Sequence, residues 1–155
     1  MSEYAKKSMS RWGQAVACAA FSALLGLGGI WWWQGRPERY LARAENAFRE
    51  DDPDEALAWL AVPESVKGTR ERAQLLRARI AVEQGRLSEA ALALDQVDPN
   101  GPSAYDHAYW KGRMHYAARQ PIPAITWFVA ALKWRPDDAD SHRWLAAASY
   151  DQGNR

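Results

Sequence analysis

The chain has 155 residues, room for one domain of ordinary size, and its 20 Lys and Arg against 19 Asp and Glu leave a formal net charge of +1. That balance gives no electrostatic footprint for nucleic acid. The only cysteine, Cys18, excludes an internal disulfide and any metal site built from several thiolates.

Residues 1–11 form a short basic tail with Lys6, Lys7 and Arg11. Residues 12–33, from Trp12 to Trp33, then run without a charge. A helix rising about 1.5 Å per residue crosses a hydrocarbon core of about 30 Å with such a run. Trp12 at one end and Trp31, Trp32 and Trp33 at the other suit the two membrane interfaces. A cleaved signal peptide ends in small residues, but this run ends in three Trp. A lipoprotein signal ending at Cys18 would need an apolar segment where Arg11 to Gln14 stand. The run therefore predicts an uncleaved transmembrane signal anchor. Arg36, Arg39 and Arg43 flank its far side, yet the short basic tail favours an inside N-terminus. In a bacterium that places the rest of the chain on the periplasmic side of the inner membrane. Cys18, Ser22 and Gly26, with Ala15, Ala19 and Ala23 beside them, recur at four-residue intervals. Such spacing lets two membrane helices approach and form a homo-oligomer, although a chain rich in Ala and Gly shows it without any such role.

Gly35 and Pro37 break the chain after the run, and a repeating helix–turn–helix pattern follows. In the first copy, residues 37–68, Tyr40, Ala44, Ala56 and Leu60 fall on the repeat, and Asp52, Pro53 and Glu55 read as N-cap, first helical residue and N3 acid. The second, residues 71–102, carries Ala78, Gly85, Ala90 and Leu94, and Asp98, Pro99, Asn100, Gly101 and Pro102 shorten its second helix. The third, residues 105–138, is the clearest, with Gly112, Ala124, Phe128, Ala131 and Pro136. Gly112 and Ala124 are small where two helices must cross. Ala124, Phe128 and Ala131 form one apolar stripe at i, i+4 and i+7. Pro136 stops the second helix. A partial copy, residues 139–155, brings Leu145, Ala146 and Gly153.

This pattern resembles the tetratricopeptide repeat (TPR), which places a small residue eighth, Ala twentieth, an aromatic twenty-fourth, Ala twenty-seventh and Pro thirty-second. The third copy fills all five places and departs at the seventh, where Lys111 replaces a large apolar residue. The resemblance spans residues 36–155. It implies an all-α TPR-type helical-hairpin solenoid of about three and a half repeats, preceded by one transmembrane helix.

Nothing in the sequence points to catalysis, a cofactor or a metal. His107, His115 and His142 do not share a helical face with acids at ligand spacing. There is no H-E-x-x-H, no Gly-rich phosphate loop and no C-x-x-C-H. The pairs Asp51–Asp52 and Asp137–Asp138 sit at turns and read as helix caps. The resemblance implies instead a concave groove lined by the first helix of each repeat. Its usual positions map to Phe48, Leu75, Arg79, Val82, Tyr109, Arg113, Tyr116, Arg143 and Tyr150. The arginines would supply hydrogen-bonding heads and the tyrosines flat contacts, types enriched at hot spots; the same tyrosines also suit packing between repeats. In relatives that clamp a chaperone's terminal carboxylate, Lys and Asn hold the places filled here by Leu41 and Glu45, and Glu45 repels a carboxylate. The expectation is a membrane-anchored scaffold or adaptor that docks a protein or peptide segment in envelope assembly, secretion or protein maturation, with no nucleic-acid partner. Two alternatives stay open: a constitutive subunit of a membrane complex, and the N-terminal part of a longer repeat protein.

Overall fold

The structure, a computed structural model, describes residues 36–154. The basic tail and the uncharged run of residues 12–33 lie outside the described residues. Among the described residues no helix is long and apolar enough to cross a membrane. Of the described residues, 40–154 belong to one compact unit.

The described residues are all-α: α1 (Pro37–Arg49), α2 (Pro53–Ser65), α3 (Arg70–Glu83), α4 (Leu87–Leu94), α5 (Ala104–Ala117), α6 (Pro121–Trp134) and α7 (Ala139–Gly153). Leu41, Ala44, Leu60, Ala73 and Ile80 join the first three helices in one core. From α2 onward each helix packs on the next, and α3 also meets α5, and α5 meets α7. The odd-numbered helices thus form one layer and the even-numbered helices the other, the arrangement of a helical-repeat array.

Local chemistry explains the boundaries. Asp52 accepts a hydrogen bond from the Glu55 N–H at 2.9 Å, and Pro53 opens α2. Asp138 does the same for Ser141 at 2.7 Å and starts α7. Each cap satisfies a donor that the first helical turn leaves unpaired. The proline-rich loop after Val97 holds α4 to 8 residues. Within each of the three hairpins the backbone enters the left-handed region at the same place: Asp51 (φ 65°), Gly85 (φ 72°) and Arg119 (φ 59°). The following N–H groups of Asp52, Arg86 and Gln120 close onto the carbonyls of Ala47, Ala81 and His115 at 3.0, 2.8 and 2.9 Å. These are the wide loops of a Schellman ending. Gly85 adopts this conformation without a side chain to clash; Asp51 and Arg119 accept one that costs a side-chain-bearing residue about 1 kcal/mol.

Packing repeats with the turns. Ala44, Ala78 and Gly112 are buried where the two helices of a hairpin cross, as are Ala56, Ala90 and Ala124 on the opposing helix. Leu60, Leu94 and Phe128 fill the space between. A β-carbon added to Gly112 would stand 2.7 Å from two ring carbons of Phe128, well inside van der Waals contact. In α7 the corresponding Ala146 is exposed.

The seventh place carries a cation for a visible reason. Arg77 of α3 reaches Glu64 of α2 at 2.5 Å and Glu89 of α4 at 3.2 Å. Lys111 of α5 reaches Asp95, just beyond α4, at 2.6 Å and lies 5.7 Å from the Trp127 ring centre. Each ties its helix back to the even-numbered helix before it.

Candidate partner-binding face

The layer of odd-numbered helices carries a line of alternating rings and guanidinium groups. Arg79 of α3 lies 4.7 Å from the Phe48 ring centre of α1 and 5.7 Å from that of Trp110 of α5. Arg113 of α5 stands 5.3 Å from Trp110 and 4.1 Å from Trp144 of α7. Arg143 ends the line, 5.6 Å from Trp144. A guanidinium over an aromatic face is held by the ring quadrupole while its edge N–H groups stay available for hydrogen bonds.

The helical period builds this line. Phe48 lies near the end of α1, Arg79 and Arg113 occupy the same place in their copies, and so do Trp110 and Trp144. Beside it opens a groove of about 600 Å³ between α1, α3 and α5, with Phe48, Leu75, Leu76 and Trp110 as its apolar part. Its charges are largely matched: Arg72 pairs with Glu45 at 3.2 Å and Arg79 with Glu83 at 3.3 Å.

Of the residues expected on this face, Phe48, Leu75 and Arg79 meet in the groove. Tyr109 accepts a hydrogen bond from Arg113 at 3.3 Å and also packs edge-on to Phe128, at 6.2 Å between ring centres. Tyr116 leans on Trp144 at 5.2 Å. Burial, followed by a hydrogen bond to Asp151, raises its pKa above the ordinary phenol value. Tyr116 therefore packs between repeats and Tyr109 within its own, both still edging the face. Arg143 pairs with Asp140 at 2.8 Å, and Tyr150 is 73% exposed. Val82 is the exception. It is 6% exposed, enclosed with Ala78, Ala81 and Met114, because α5 covers it, so it offers almost no surface to a partner. The arginines expected as free heads are already stacked and, at Arg79 and Arg143, ion-paired.

Two residues of the line were not expected there. Trp110 and Trp144 hold the sixth place, which the repeat pattern does not assign to the groove. Their recurrence one repeat apart was the available signal. Among the described residues no group of three or more His, Cys, Asp or Glu is placed to hold a metal ion. In comparison with known proteins, no family model, no curated protein and no solved structure matches the chain.

Proposed function

We propose that this chain is a membrane-anchored TPR-type scaffold that docks an extended or helical segment of a partner protein on its odd-helix face. The observation that carries the reading is the continuous line from Phe48 through Arg79, Trp110, Arg113 and Trp144 to Arg143, beside the groove. Large rings and stacked arginines supply contact area and directional hydrogen bonds at small entropic cost, since their stacking already fixes the side chains. The recurrence of turn, crossing residue and hairpin supports the TPR reading. The uncharged residues 12–33 support the anchor. Envelope assembly, secretion and protein maturation on the periplasmic side of a bacterial inner membrane are the settings such a layout serves.

A photo-crosslinking residue at Leu75, in the groove, tests this in cells, with Ala58 on the exposed surface of α2 as control. The expected result is a discrete adduct from Leu75, none from Ala58, and loss of the Leu75 adduct with Arg79→Glu. Equal labelling from both positions, or no adduct from Leu75, refutes docking on this face.

A further inference from the structure

We propose that the outer arc of α6 lies on a lipid surface, an inference that rests on the anchor reading and is independent of the groove. The helix reads PIPAITWFVAALKW, with no acid and one charge, Lys133. It buries Pro121, Ala124, Phe128 and Ala131 against α5 and α7. The side that remains still carries large apolar residues, with Thr126 and Lys133 exposed among them: Ile122 is 62% exposed, Val129 44% and Trp134 54%. The equivalent places in and just after α2 hold Asp54, Ala61 and Val66, so the α6 arc differs from it by Ile for Asp and by the larger Val129 and Trp134. A helix with large apolar side chains left outside its core face belongs where something covers them.

Area and side-chain chemistry decide what covers it. A stable protein pair needs about 800 Å² from each partner. Three partly exposed side chains on a helix about 21 Å long fall well short of that. A bilayer imposes no such threshold on a chain already tethered to it, because partial burial of an apolar arc then adds to the anchor instead of acting alone. The chemistry of the helix end also suits an interface. Trp134 stands exposed between Lys133 and Arg135. Indole rings favour the headgroup level, and a lysine can lay its stem on apolar surface while its ammonium reaches anionic lipid. Arg135 keeps its charge at the same end while stacked 3.8 Å from the Tyr105 ring centre. Beyond Pro136 stand Asp137 and Asp138, which balance these two cations in number. A shallow cleft of about 400 Å³, lined in part by Trp127, Ala130, Lys133 and Trp134, extends the apolar arc.

The test uses the full chain with Cys18→Ala, reconstituted into vesicles of phosphatidylcholine and phosphatidylglycerol. An environment-sensitive fluorophore is attached at Val129→Cys, or at Ser149→Cys on exposed α7 as control. The expected result is a blue-shifted emission at position 129 that brominated acyl chains quench, with neither effect at 149, and loss of both with Ile122→Asp. Unquenched emission at 129 overturns the proposal. So does copy-to-copy disulfide formation at unlabelled Val129→Cys, which assigns the arc to a second chain. Alkaline carbonate extraction of the same vesicles reads the anchor separately. Release of the chain refutes the anchor, whereas retention with unquenched label refutes only the α6 contact.

Discussion

Adding one methyl group at Gly112 tests the repeat register most directly. In Gly112→Ala the new carbon would lie 2.7 Å from Cδ1 and Cε1 of Phe128 and 3.0 Å from Cζ. Phe128 is fully buried between α5 and its neighbours, so the ring has no open space to enter. Overpacking of this kind costs typically 1–3 kcal/mol. Replacing a mid-helix glycine with alanine returns roughly 0.5–1 kcal/mol. The net effect is a loss of about 0–2.5 kcal/mol by those two magnitudes, and a mid-range loss lowers the melting point by several degrees. The other hairpins supply the compensating change. They pair Ala44 with Leu60 and Ala78 with Leu94 at the same two places, all fully buried. Phe128→Leu alone should leave a cavity, while Gly112→Ala with Phe128→Leu recreates the pair used elsewhere. The double variant should be more stable than the sum of the single losses predicts, by about 1 kcal/mol, within the range of coupling between touching residues. Thermal unfolding of the full chain in mild detergent, followed by helical circular dichroism, reads all four proteins. A stabilised Gly112→Ala, or strictly additive losses, would refute the crossing geometry.

Arg77→Met should destabilise by about 1–3 kcal/mol, because Glu64 and Glu89 lose the cation that joins them across three helices; denaturant unfolding of the variant checks it, and an unchanged midpoint refutes it. The Asp138 carboxyl is held below its ordinary 3.8 by its hydrogen bonds to Ser141 and then Tyr105. A depressed folded value contributes stability above the unfolded pKa and loses it as pH falls through the folded one. Asp138→Ala should therefore cost about 1 kcal/mol near neutrality, as a lost N-cap, and much less once pH is below the folded value. Melting curves across that acidic window read the convergence.

The parts of the fold set by hard contact were legible in sequence. Gly112, Ala124 and Phe128 announced a helix crossing because only small residues fit there, and Asp52–Pro53–Glu55 announced a helix start because caps act locally. The pair Asp51–Asp52 marked a turn, though not its left-handed backbone, and the turn at Arg119 was not legible, since arginine does not favour that region and the closing backbone bond imposes it. On the candidate face, Phe48, Leu75 and Arg79 meet as their spacing implies. Val82 is covered by a helix that its own neighbourhood in sequence does not reveal. Trp110 and Trp144 join the face because their rings bridge to arginines one helix away, a relation visible only when the helices are placed side by side.

The cations that reach backward at the seventh place also bear on how an array like this changes length. Arg77 finds Glu64 on the helix before it, and Lys111 finds Asp95. These two junctions have the same polarity, positive on the later repeat and negative on the earlier, whereas at the last junction Leu145 holds the place. Excising one whole repeat would bring Lys111 to face Glu64, again a match of sign. The acids stand at different places of their copies, Glu64 near the end of α2 and Asp95 just past the shorter α4, so the match is one of sign. At these two junctions, removal of a whole unit keeps opposite charges together.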